Sequence, residues 1–489
     1  MAKRFGYFAW LLSLGWLGGV LCLPPAGFAQ EDFSAGLLYD EFPLTLDDGH
    51  RTEAIGPFFF LQERYTETSW GIPPLTSRVT DPDTESTEFD LPYPLMTYRR
   101  YGAEYRWQFC QLLSASGGQN QAGVPRNRFT LFPLYFQQRS PDTNQEYAAL
   151  FPIGGRLRER LFRDDIKFVM FPIFGETRKR DVVTYNYLWP VFHWRRGDGL
   201  HGWQVWPLVG NEHKKVTTRT NSWGETEIVG GHDRLFYLWP LHFRQNNGIG
   251  TDNPEKFRAS IPLYVISRSP QRDATTVLWP FFSWIDDRAK KYHEWQGPWP
   301  LVIVARGPGK TTTRVLPLFG RSHNDILESD FYLWPVYRYK RLHAAPLDRE
   351  RTSILFFLYV NTDEKNTETG KDRKRIDLLP FFTWHRDFNG NRRLQILAPI
   401  EPVLSHSTGV ERNWSPLWSL WRAEDNPGTG AKSRSLLWNL YRYDRTPEMK
   451  KCSLLFGLFQ YQSNAESKRM RLLYIPLGKL RQPAGPPAK

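Results

Sequence analysis

The sequence predicts an all-β chain: a long antiparallel meander of about 20 repeated strands, closed in the first reading as a β-barrel and in the alternative folded as a propeller- or solenoid-like soluble repeat. Three observations predict it. One segment recurs, as Tyr185-Asn-Tyr-Leu-Trp-Pro-Val-Phe-His-Trp194, Phe236-Tyr-Leu-Trp-Pro-Leu-His-Phe243, Val277-Leu-Trp-Pro-Phe-Phe-Ser-Trp284, Phe331-Tyr-Leu-Trp-Pro-Val-Tyr-Arg-Tyr339 and Leu378-Leu-Pro-Phe-Phe-Thr-Trp384. Its prolines, at 133, 152, 172, 190 and 207 in one stretch, set a period close to twenty residues. Between copies lie turn-formers such as Arg196-Gly-Asp-Gly199 and Pro427-Gly-Thr-Gly430.

Each unit reads as one strand. Its apolar part is short, aromatic and β-branched, and a helix would resist the proline. Connections of four to eight polar residues make neighbouring units antiparallel, because a parallel crossover needs about a dozen. Copies without proline, such as Leu355-Phe-Phe-Leu-Tyr359 and Leu437-Trp-Asn-Leu-Tyr441, bring the series to about twenty-two units.

Taken in order, residues 1–29 read as an export signal, with Lys3 and Arg4, an apolar run from Phe8 to Leu23 and a small-residue cleavage site at Gly27-Phe-Ala29. An uncleaved anchor is the alternative, and Pro24-Pro25 favours cleavage. Residues 30–52 form an acidic, flexible lead-in, 53–480 a single β-repeat domain, and 481–489 a disordered tail. The longest insertion, from Asn211 to Asp233, reads as a surface loop.

Counting from the proline, positions plus two and plus four are large aromatics in the fullest copies, and the two-residue period puts them on one face. Trp194, Trp284, Tyr339 and Trp384 are therefore a candidate aromatic band at a membrane interface. Arg195, Arg196, Lys340 and Arg341, just beyond it, are a candidate rim for anionic lipid. A strand from Tyr185 to Arg196 would be about 40 Å long and, tilted near 45°, roughly 29 Å high, enough to cross a bilayer core. Three features oppose this: a proline near mid-strand, a strand middle apolar on both faces, and a C-terminus without a terminal aromatic strand.

The net charge of +13 falls by two when Lys3 and Arg4 leave with the signal, and suits membrane lipid or an anionic envelope polymer; export excludes nucleic acid as the partner. Cys110 and Cys452 are too few for a disulfide framework. The eleven histidines are scattered, without metal-ligand spacing. Gly307-Pro-Gly-Lys-Thr311 has the tail of a phosphate loop but sits where a hairpin turn belongs. Asp387, Asn389 and Asn391 are turn chemistry rather than a calcium loop. No cofactor, metal or catalytic residue is assigned, and an enzyme is not the expectation. The functional expectation is an exported outer-membrane-type protein with a passive structural, conduit or binding role toward an apolar or amphipathic molecule. A soluble periplasmic or extracellular binder of carbohydrate or lipid is the alternative.

Overall fold

A computed structural model describes residues 34–481 apart from 120–122, 222, 406 and 466. The signal expected over 1–29 and the tail past 481 lie outside the described residues. Over the described residues the chain is a 43-stranded antiparallel meander, each strand paired with its neighbours in sequence, plus a separate two-stranded hairpin, Thr217–Thr220 with Thr226–Val229, in the long insertion. The residues expected as a flexible lead-in belong to the sheet: Asp40–Pro43 pairs with Gly49–Ala54.

The strand count is twice the expected one, and the proline is the reason. Each unit is a hairpin, not a strand. Val182–Tyr187 and Phe192–Gly197 are separate strands, with Leu188-Trp189-Pro190-Val191 turning between them. The Trp189–Pro190 bond is cis and the Val191 N–H donates to the Leu188 carbonyl at 2.8 Å, a type VI arrangement with proline at its third position. Copies without proline turn with two successive positive-φ residues, as Trp438 and Asn439 do. In the Trp-Pro and Phe-Pro copies the proline thus removes no ladder donor from mid-strand, and the segment apolar on both sides is a turn. Six residues make a strand only about 20 Å long, or roughly 14 Å in height at a 45° tilt, so a strand covers about half of a 30 Å bilayer core.

The hairpins stand side by side, so the Trp-Pro and Phe-Pro turns fall on one rim and the polar turns on the other, where the cis Ala345–Pro346 turn also lies. The two ends of the sheet meet through side chains. The Asn439 amide donates to Asp40 Oδ2 (3.2 Å) and Glu53 Oε2 (3.1 Å), the Arg442 guanidinium lies 3.4 Å over the Phe42 ring, and Gln460 Nε2 donates to the Ser34 carbonyl.

Only one described connection carries α-helix. Between the strands Arg392–Ile396 and Trp421–Asn426 the chain makes α1 (Thr408–Asn413) and α2 (Ser415–Trp418). Glu401 anchors this insert, accepting from Gln395 Nε2, Ser415 Oγ and Trp418 Nε1 at 2.5–2.9 Å. Arg412 then reaches across to the N-terminal strands, with Nη2 2.6 Å from Asp90 Oδ2 and Nε donating to Ser77 Oγ. Asn413 and Trp414 add bonds to Asp90 and to the Tyr93 carbonyl. The insert is a brace between the two ends of the sheet.

Candidate membrane-facing rim and concave wall

Apart from register shifts at Gly231/His232 and Arg469/Arg471 the strands alternate, and the alternation sorts side chains by polarity over much of the sheet. Around Phe192–Gly197, one face carries Tyr185, Tyr187, Phe192, Trp194 and Trp203; the other carries Thr184, Asn186, His193, Arg195, Gln204 and Glu212. The apolar face is the exposed one, with Trp194 59% exposed, whereas Thr184 and Asn186 are buried. Elsewhere Ser69, Ser77, Thr130, Gln138, Ser283, Thr383, Ser433 and Gln460 are buried on the polar face, while Leu61, Phe129, Trp284, Tyr332 and Leu472 are exposed on the other. Over these strands this is the reverse of a water-soluble sheet, whose buried face is apolar, and apolar burial on the same side is local, as in the cluster of Tyr147, Ala149, Leu157 and Phe168.

The expected band residues share the apolar outward face. Trp194 stands opposite Trp203, and Trp284 opposite Trp295. Tyr339 and Trp384 occupy the same place after their turns and are half-buried. The expected cationic rim does not face one way, because adjacent strand residues point to opposite sides. Arg195 points inward to Glu212 (Nη1–Oε2 2.5 Å), whereas Arg196 points outward over the Tyr185 ring. Lys340 points inward, and Arg341 points outward to Asp348 at 2.8 Å. Glu212 shows what the concave wall does to charge: burial works against its ionised form, yet His232 and Arg195 hold it down to about 2.

Sequence reasoning did not single out the proline turns as the most lipid-like part of the molecule. Leu188, Trp189, Leu238, Trp239, Leu278, Trp279, Leu333 and Trp334 are all exposed at the tips. Their backbone is nonetheless satisfied. Leu188 N donates to Ile173 O and Trp189 N to Pro172 O of the preceding turn, Pro190 has no N–H, and Val191 N closes its own turn. The turns Leu238–Leu241 and Leu333–Val336 repeat the same three bonds. The opposite rim is charged, as at Lys179-Arg180-Asp181 and Lys290-Lys291, where strands also end.

The phosphate-loop-like segment is the connection of a hairpin, between Val302–Arg306 and Thr311–Val315. Asp387 caps its own turn, accepting from the Asn389 and Asn391 amides. Cys110 and Cys452 are free. Among the described residues no group of three or more metal-ligating side chains converges, and no helix is long and apolar enough to cross a membrane. Comparison with protein-family models gives no match, and comparison with curated proteins gives none either.

Proposed function

We propose that the protein is an exported envelope component seated in the outer membrane by its rim of proline turns, with a passive scaffold or conduit role toward an amphipathic molecule. The tips and the outward aromatics up to the level of Trp194 enter one leaflet; the polar wall and the charged rim stay in water. One observation carries this reading: the apolar tips expose indole and leucine side chains while the N–H groups of the Leu188–Val191, Leu238–Leu241 and Leu333–Val336 turns are bonded within the rim. Lipid penalises any unsatisfied backbone group by several kcal/mol, so a loop rim enters it only when its donors already have partners. The apolar stretch, four residues from Pro190 to Trp194, is about 14 Å long, or roughly 10 Å in height at a 45° tilt, and fits within one leaflet rather than two. The polar concave wall favours an amphipathic cargo over a wholly apolar one, and the seam between sheet ends makes the wall a closed enclosure in this reading.

Liposome flotation of the mature chain tests it, with tryptophan quenching by lipids brominated along the acyl chain. Co-flotation with quenching of the tip indoles is the expected result. Full recovery in buffer without lipid association would overturn it in favour of a soluble binding protein.

A further inference from the structure

We propose that the concave wall holds a binding site for a phosphoryl-bearing anion, between Lys340, Arg351 and Arg375. The site is a cavity of about 350 Å³ on the inward face, roofed on one side by Pro402 and Ser405 of the braced insert. Its position follows from strand register. Lys340 pairs directly with Arg351, Arg351 with Thr362, Thr362 with Arg375, Arg375 with His385, and His385 with Arg393, so one level of the wall is a nearly unbroken rank of bases.

Like charges directly opposite on neighbouring strands repel, and a sheet normally avoids them or interleaves carboxylates. Here the carboxylates are already committed. Glu364 takes both Arg349 (2.5 Å) and Arg373, and Asp377 takes Arg375 Nε and the Thr383 hydroxyl. Lys340 and Arg351 have no carboxylate within ion-pair distance among the described residues, and both are exposed. The lining has five Lys and Arg side chains against two carboxylates. The His385 imidazole feels the same field: burial, then the charges of Arg393 and Arg375, push it below its ordinary range.

The donor set fits phosphate chemistry. Arg351 offers a planar fork, Lys340 a point charge and Thr362 a hydroxyl beside it, while Arg375, held by Asp377 through Nε and by the Glu401 carbonyl through Nη2, fixes positive charge at the far edge. Lys340 and Arg375 lie three strands apart, roughly 14 Å at the backbone, which suits an anion with more than one phosphoryl group. Such a ligand arrives either free or as the head group of a lipid. The site does not depend on the rim entering a bilayer, because flotation reads that and anion affinity does not.

Calorimetric titration of the full chain with pyrophosphate, and separately with dihexanoyl phosphatidic acid below its micellar concentration, tests the site. K340Q/R351Q weakens binding at least tenfold. R341Q/K374Q, which removes the same charge from the outward face, leaves it within twofold. Pyrophosphate also raises the Tm of the natural chain and not that of K340Q/R351Q. Comparable affinity for the two probes assigns a free anion, and much tighter binding of the lipid assigns a head group. Absence of saturable binding of either probe, or equal losses in the two double variants, overturns the proposal.

Discussion

The two ends of a single strand differ more than any two distant parts of the sheet. Phe192–Gly197 begins at a turn of leucine, tryptophan, proline and valine and ends at Asp198 and Gly199, six residues away. The outward face changes with it, from Phe192 and Trp194 to Arg196. Repeated along the meander, this gives the sheet two crossed polarities, one through its thickness and one along its strands. A soluble sandwich needs only the first; an object that sits at a water–lipid boundary needs both.

The strongest way to break this contrast is to charge the apolar tips. Aspartate at Trp189, Trp239, Trp279 and Trp334 together abolishes liposome co-flotation, since each change loses about 1 kcal/mol of apolar burial and carries a charge costing roughly 2.5–3.5 kcal/mol into lipid. Undiminished flotation of that variant would remove the membrane assignment. Next in size is the brace between the sheet ends. Arg412→Ala leaves the buried Asp90 without its partner and costs about 3–5 kcal/mol in denaturant unfolding, with no direct effect on either rim.

The seam adds a pH dependence. Burial raises Asp40 to about 6, against the opposing pull of Arg442 and Lys451. The folded form then holds a proton that the unfolded chain releases near 3.8, so the contribution is fully present below that value and disappears as pH rises through about 6. Stability at pH 5 exceeds that at pH 7.5 by about 1 kcal/mol from this group, because only the unit between pH 5 and pH 6 falls within the window at about 1.4 kcal/mol per pH unit, and Asp40→Asn flattens the difference. The smallest effect belongs to the charged rim. Phe162 is 96% exposed there, between Arg160 and Arg163, and Phe162→Ser changes flotation by less than twofold. A loss equal to that of one tip tryptophan would show that the rims do not differ.

Much of this was legible in the residues, and the part that was not has a definite cause. The period, the antiparallel order and the outward placement of Trp194 and Trp284 all follow from spacing. The positions two and four past a proline keep the same parity whether the strand runs through that proline or starts after it. The four aromatics therefore share one face, as their spacing requires, while strand length came out doubled. That same ambiguity hid the alternation: Leu188 to Val191, taken as strand, looks apolar on both sides, and the true inward set of Asn186, His193 and Arg195 disappears from view. Arg195-Arg196 and Lys340-Arg341 looked like patches because they are adjacent in sequence, whereas a period of two sends their members to opposite faces. The brace was unreadable because Pro399, Pro402 and Pro416 break any helical period, and its partners Ser77 and Asp90 lie more than 300 residues away.

The bonds that run from one proline turn to the next have a consequence for how such a rim meets a bilayer. Because the amides of Leu188 and Trp189 are held by carbonyls of the preceding hairpin, a lone hairpin would carry naked donors into hydrocarbon. On the proposed membrane reading, entry is therefore a collective event, open to a row of neighbours and closed to any one of them. A fragment of one or two repeats should stay at the water surface however many tryptophans it carries.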